Sequence, residues 1–312
     1  MKTQSTDSST SLRQRVERVG RISLVRFIVL LLVALACAKL LGRLTVHYVN
    51  DSASYLDYPF DSLSDALVSI RTPGYPLFLK CVEWTCGIAF LPLVQIIIHA
   101  TAAWLLGNEL FKRTDRVFVA GAASLAVVLG CTFTDHVHTV STDVIGLSAA
   151  VFCLTYLLRS SRIGGVSNLI CTALFATIAI FLRPAYLFLI PWVLIVGWLI
   201  VGIDNPTSEL RRRFSCVLVS VSVALIVVTW MFVRSFVVID FAVLPFGHQN
   251  LSGITVQLVS PDEMRRLFED DDQSRQSRLA DGVARQLGSG VYETREGRGL
   301  ATLTIESQWD EI

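Results

Sequence analysis

Charge is what this chain has least of. Only 17% of its 312 residues are Asp, Glu, Lys or Arg, and long stretches hold none, whereas 53% are hydrophobic. A soluble globular domain carries about 25% charged residues, so the composition is that of a membrane protein. Other absences narrow the reading. The connections rich in Lys and Arg show no glycine-rich phosphate loop, so nothing in the sequence calls for a nucleotide or a flavin. No basic face interleaved with aromatics appears, which excludes nucleic acid as a partner. The seven cysteines show no paired ligand spacing and fall mostly inside apolar segments, so they read as small core residues. Cys81 and Cys86 alone are spaced to invite a disulfide, and both are expected as free thiols. No internal repeat is evident, and a net charge of +1 says less about partners than where the positive residues stand.

What is present is a series of apolar segments. A spanning helix needs about 20 mostly apolar residues, and seven segments approach that length: Val25 to Val46, Ile88 to Phe111, Val117 to Phe133, Val140 to Leu158, Val166 to Leu182, Tyr186 to Ile203, and Phe214 to Val233. The expected fold is therefore an all-α polytopic transmembrane helix bundle of about seven spans. Residues 1–24 form a polar tail, 25–239 the membrane domain with a first outer loop at 47–87, and 240–312 an outward tail, partly disordered and open to being truncated. The first span follows Arg13, Arg15, Arg18 and Arg21 with no small-residue cleavage site after it, so a retained signal anchor is expected. Arg26 and Lys39 lie near its ends, where long side chains reach the headgroups.

Positive residues alternate between connections. The N-terminal tail, Lys112, Arg113 and Arg116, Arg159 and Arg162, and Arg211 to Arg213 fall on one side, which is expected to be cytoplasmic. An integral, multi-pass membrane protein with a cytoplasmic N-terminus is expected. The other side holds the loop after the first span, the short turn Thr134 to Thr139, the Arg183-Pro184 turn and everything after about Arg234.

In the first outer loop Leu63, Ala66, Leu67 and Ile70 recur at helical spacing opposite Ser62, Asp65 and Ser69, which predicts a short surface helix with Asp61 as its N-cap. Thr72-Pro73-Gly74-Tyr75-Pro76 then makes a stiff turn, and Pro76 opens a further helix. In the tail, Ser260-Pro261-Asp262-Glu263 is a capping box, whereas the acidic and Gly/Arg-rich stretches downstream lack apolar periodicity. Asn50-Asp51-Ser52 and Asn250-Leu251-Ser252 match the glycosylation pattern, a frequent chance match.

Ionisable groups at a membrane rim are costly unless they face a cavity or a partner. Asp51, directly after the first span, is placed to act as a general base, against the plainer reading of a solvated helix-end acid. Asp57 and Asp61 read as turn and cap residues. Arg71 and Arg183 each stand beside a proline-stiffened turn; a guanidinium there grips a lipid phosphate, anchors to headgroups, or pairs with an aspartate. Tyr55, Asp143 and His138 complete the candidate substrate-binding set. Asp135, His136, His138 and Asp143 form only a loose ligand set, so no metal site is assigned and a divalent cation is the minor alternative. His99 reads as a hydrogen-bonded interior residue.

The run Asn50-Asp51-Ser52-Ala53-Ser54-Tyr55-Leu56, followed by Arg71-Thr72-Pro73-Gly74-Tyr75-Pro76-Leu77-Phe78-Leu79, resembles the first outer loop of bacterial C-type glycosyltransferases related to the dolichyl-phosphate-mannose-protein mannosyltransferases. Ser141-Thr142-Asp143 and Leu182-Arg183-Pro184 fit the same pattern, and the resemblance covers roughly Val25 to Ile203. It implies a polytopic enzyme that moves a sugar from a polyprenyl-phosphate donor to a hydroxyl acceptor (lipid, glycan or protein) on the extracytoplasmic side of a bacterial inner membrane. It further implies Asp51 as catalytic base, Arg71 and Arg183 in donor-phosphate or structural roles, and Asp143 as a second acid. Where relatives often carry two adjacent acids, this chain has Asp51-Ser52. Two rivals stay open: a transporter or flippase of a lipid-linked substrate, and a catalytically silent membrane scaffold.

Overall fold

The computed structural model describes residues 23–49, 51–204, 209–238 and 241–243. Among these there is no β-strand, only an isolated parallel bridge between His47 and Thr139. The helices are α1 (Ser23–Leu40), three short helices α2 (Ser52–Leu56), α3 (Leu63–Val68) and α4 (Gly74–Thr85), then α5 (Leu91–Thr114), α6 (Val117–Val128), α7 (Cys131–His136), α8 (Asp143–Ile163), α9 (Val166–Leu182), α10 (Leu189–Asp204) and α11 (Glu209–Val238). Short 3₁₀ turns at Ile88–Phe90 and Pro184–Phe188 lead into α5 and α10. The class is the all-α bundle expected. The tail beyond 243, with its capping box, the basic N-terminal tail and Asn50 lie outside the described residues.

Among the described residues, five helical stretches are long and apolar enough to cross a membrane: Ser23–Leu40, Ile88–Thr114, Val117–His136, Asp143–Ile163 and Arg213–Val237. Two others, Val166–Leu182 and Pro184–Ile200, are apolar but shorter, so the fifth and sixth of the seven expected segments fall below that length. Their outward faces leave large apolar side chains uncovered, among them Leu32, Ile170, Leu199, Leu225 and Phe236. Such a belt is untenable in water and suits acyl chains, and the chain is an integral membrane protein.

α8 is the central helix, packed against α5, α9 and α10. Within lipid, helices associate through close packing and polar contacts rather than by escaping water. Accordingly, Ala34 and Ala38 of α1 and Ala103 of α5 are buried small residues in one cluster with Ile96, Phe133 and Val144. Between helices, the Ser124 hydroxyl donates to the Ala103 carbonyl at 2.9 Å, and the His99 ring spans from Ser148 Oγ, 2.9 Å away, to the Val127 carbonyl at 3.0 Å. His99 is thus the hydrogen-bonded interior residue the sequence suggested.

Several boundaries differ from the hydropathy reading, each for a local reason. α1 stops at Leu40, not Val46: Gly42 takes a left-handed φ of 68°, and the Arg43 N–H closes back on the Ala38 carbonyl at 2.7 Å, the six-to-one bond of a Schellman cap. The third segment breaks after Val128, and Gly130 starts the separate helix α7, so residues 134–136 are helical where a turn was expected. α3 is capped by Ser62, whose hydroxyl accepts from the Asp65 N–H, and not by Asp61. The helix expected to open at Pro76 opens two residues earlier, at Gly74.

Candidate functional site

The short segment from His138 to Asp143, between α7 and α8, organises one end of the bundle. Its residues engage several separate parts of the chain. The His47 N–H donates to the His138 carbonyl at 2.8 Å, and the Val140 N–H returns to the His47 carbonyl at 3.0 Å. Nε2 of His138 meets the Arg43 guanidinium at 2.8 Å. The Thr139 carbonyl accepts from Gln95 of α5 at 3.1 Å, and the Val140 carbonyl accepts from the Ser52 hydroxyl at 3.1 Å. Thr142 turns to the Tyr55 hydroxyl, and Asp143 pairs with Arg183. We call this end the loop face and the opposite end the basic face.

Asp51 stands just before α2, yet its side chain makes no capping bond to that helix. An aspartate there ordinarily accepts an N–H of the first turn. Here Oδ1 pairs with Arg71 at 3.0 Å, and the carboxylate stays largely exposed. Arg71 also donates from Nε to the Ser54 hydroxyl at 2.8 Å and lies over the Tyr55 ring, 4.4 Å from its centre. Tyr55 in turn meets Tyr75 edge-on at 5.0 Å. Burial raises the Tyr55 phenol above its ordinary pKa; Arg71 and then the Thr142 hydrogen bond oppose that rise, Asp51 adds to it, and Arg183 opposes it. One phenol therefore senses both members of the Asp51–Arg71 pair and the arginine of the other. Tyr75 is fully buried, its hydroxyl facing the Ser141 backbone without closing a bond of normal geometry, and burial drives its pKa upward.

The Thr72 to Pro76 turn reaches this place because of a single missing side chain. A Cβ on Gly74 would stand 2.5 Å from the Phe181 carbonyl oxygen and 2.9 Å from the Leu182 nitrogen. Only glycine lets the start of α4 press on the last turn of α9, one residue from Arg183. Beneath the contact lies a cluster of Tyr55, Tyr75, Leu79, Leu91, Val140 and Leu182. From the other side, buried Arg234 of α11 donates to the Leu67 carbonyl at 2.9 Å and the Ala242 carbonyl at 3.0 Å, fastening α3 to the bundle.

Of the residues singled out from sequence, Asp51, Tyr55 and Arg71 are drawn together with Asp143 and Arg183, and His138 stands at the other end of the same short segment. Both expected arginines are engaged by carboxylates. Asp57 closes α2 through its backbone N–H, as a turn residue should. The loose ligand set does not converge: among the described residues no three His, Cys, Asp or Glu side chains come together, and His138 instead stacks on His47 at 5.3 Å and binds Arg43. His138 is buried, and its pKa falls to about 4, first because burial disfavours the charged ring and then because Arg43, His47 and His136 stand near.

Arg43, Ser54, Tyr75 and Arg234 were not anticipated. The signal for Arg43 was Gly42, a helix stop that a hydropathy window averages away. Cys81 and Cys86 are free thiols. Compared across families and proteins, the chain matches no family model, no curated protein and no solved structure.

Proposed function

We propose that the loop face transfers a sugar from a polyprenyl-phosphate donor to a hydroxyl acceptor, with inversion. The observation that carries this reading is the meeting of the Asp51–Arg71 and Asp143–Arg183 pairs around Tyr55, supplied by three separate connections. Ionisable groups gathered at the end of a membrane bundle commonly face a polar cavity or partner, and these four, paired and partly open, are placed to meet a polar substrate. In the reaction Asp51 takes the acceptor proton, the oxygen forms a bond to the anomeric carbon, and the bond from that carbon to the phosphate oxygen breaks. The polyprenyl phosphate leaves with the electron pair, its growing charge met by guanidinium. Arg71 aims the Asp51 carboxylate, and Asp143, held by Arg183, is the second acid of the site. In this reading the loop face is extracytoplasmic and the basic face, with Lys112, Arg113, Arg116, Arg159 and Arg162, cytoplasmic, in a bacterial inner membrane. No resident metal or cofactor enters the scheme.

Isolated membranes supplied with a polyprenyl-phosphate donor radiolabelled in the sugar test it. Asp51→Asn is expected to lower transfer about 10²- to 10⁴-fold while the protein still inserts and retains donor. Unchanged transfer would remove Asp51 from the mechanism. Movement of the intact lipid across the bilayer without cleavage of the sugar linkage would favour the transporter instead.

A further inference from the structure

Of the arginines carried by the connections that build the site, Arg43, Arg71 and Arg183, Arg43 alone has no carboxylate partner among the described residues. Arg71 is paired with Asp51 and Arg183 with Asp143. The recorded bond of Arg43 is from Nη1 to Nε2 of His138. A guanidinium has only donors, so Nε2 must accept, and the His138 proton must sit on Nδ1. That Nδ1 is buried without a hydrogen-bond partner in a residue only 5% exposed, and Arg43 Nε is likewise buried and unused. Two idle donors beside an unneutralised cation are expensive in a protein interior unless an anion uses them.

The surroundings say what kind of anion arrives. Arg43 follows the last turn of α1, flanked by Leu40, Leu41 and Leu44, which are 87%, 50% and 41% exposed. A positive group set among bare leucines at the end of a spanning helix fits a phosphate carried on a lipid. The site also connects to Asp51 by a short covalent and hydrogen-bonded route: His138 is two residues from Val140, whose carbonyl holds Ser52, the neighbour of Asp51.

We infer that Arg43 and His138 form the phosphate-binding site of the loop face, taking the phosphate of a membrane lipid, with Arg71 and Arg183 serving to hold the carboxylates. This rests on the reading above only in expecting a lipid-borne phosphate at this face. It differs from the expectation that Arg71 or Arg183 grips the donor.

The test is binding without turnover. The full chain in phosphatidylcholine nanodiscs is titrated with polyprenyl phosphate lacking any sugar, with phosphatidylglycerol at equal mole fraction in a second arm, and with inorganic phosphate in a third. Arg43→Gln is expected to weaken polyprenyl phosphate binding about tenfold or more. Arg43→Lys, which keeps the charge but not the fork, falls between; it also decides the matter if Arg43→Gln does not fold. Preference for polyprenyl phosphate identifies the donor lipid, and an equal response to phosphatidylglycerol identifies phospholipid headgroups generally; both support the site. Unchanged affinity in both Arg43 variants, with the loss appearing in Arg71→Gln instead, overturns it, and inorganic phosphate binding as tightly as the lipids overturns the lipid source. Because no sugar is present, a failed transfer assay leaves this result standing, and a failed binding assay leaves Asp51 chemistry to be judged separately.

Discussion

At the basic face Glu109 of α5 is 3% exposed and gripped by Arg162 of α8 through two bonds, at 2.6 and 3.0 Å, with Arg113 3.8 Å away. At the loop face Asp51 is 64% exposed and holds Arg71 at 3.0 Å. Both ends use carboxylate and guanidinium. A carboxylate enclosed with its partner cannot exchange it without paying desolvation again, so the Glu109 cluster is a fastening between α5 and α8. An open pair can give up a contact to water or to an incoming hydroxyl at little cost. Exposure, more than the residues themselves, separates the end that holds the bundle from the end for which chemistry is proposed.

The contrast is broken most directly by removing one carboxylate at each end. Glu109→Gln leaves Arg113 and Arg162 without their buried counter-charge and is expected to cost about 3–5 kcal/mol. Asp51→Asn should cost no more than about 1 kcal/mol, because the carboxylate is mostly solvated and Arg71, though itself largely enclosed, keeps its bond to Ser54 and its place over the Tyr55 ring. Denaturant unfolding of the two variants in detergent checks the difference. Equal losses would mean that the loop-face pair is as structural as the buried one.

Arg234 offers a smaller test, because it supports the loop face while being enclosed like Glu109. Arg234→Gln removes its bonds to the Leu67 and Ala242 carbonyls, at about 1.5–3 kcal/mol for charge-assisted bonds. The expected result is faster chymotrypsin cleavage between Tyr58 and Leu67. Unaltered cleavage would show that α3 is held by Tyr58, whose hydroxyl donates to the Ala66 carbonyl, rather than from α11.

The two ends were not equally legible in the sequence. Span ends and a proline-stiffened turn are local features, so Asp51, Arg71, Asp143 and Arg183 were assigned to one face from their place along the chain alone. Which acid meets which arginine depends on how α4 lies on α9, and that is set by the absent side chain of Gly74, which no periodicity records. Arg43 was hidden for a different reason: averaging over about 20 residues carried the first span to Val46 and absorbed it, although Gly42 marks the stop. Ser62 and Asp61 are adjacent, equally good caps, and only the backbone path decides between them. The buried state of Glu109 was invisible because an acid within the last turn and a half of a helix ordinarily reads as solvated.

Glycine separates the packed end from lipid-facing surface on a finer scale. Gly74→Ala drives a Cβ to within 2.5 Å of the Phe181 carbonyl oxygen, a backbone atom that cannot swing aside, and is expected to cost about 1–3 kcal/mol. Gly121→Ala, in α6, meets no atom within 4 Å and should cost nothing. Thermal unfolding of both variants measures the gap, and the proposed sugar transfer is expected to fall only in Gly74→Ala. A tolerated Gly74→Ala would imply that α4 and α9 do not press together as closely as the site requires.

The smallest expected effect concerns His138, which belongs to the loop face but is enclosed as the basic-face cluster is. Its folded pKa of about 4 lies below the ordinary 6.5, so between those values the unfolded chain binds a proton that the folded chain refuses. Stability must then fall as pH drops from 6.5 toward 4, and the contribution is fully present only above 6.5. Below about 4 the ring protonates in place, Nε2 can no longer accept from Arg43, and two cations face each other. Carboxylates add their own slope over this range, so the informative quantity is the difference between the wild-type chain and His138→Gln, whose amide oxygen can still accept from Arg43 but does not titrate. A shallower acid-side slope in His138→Gln is the expected result; identical slopes would mean that the imidazole is not held neutral by burial. If the slope is instead abolished when a lipid phosphate is bound, the anion has offset the Arg43 charge and raised the His138 pKa, which joins the enclosed histidine to the open ion pairs in one working surface.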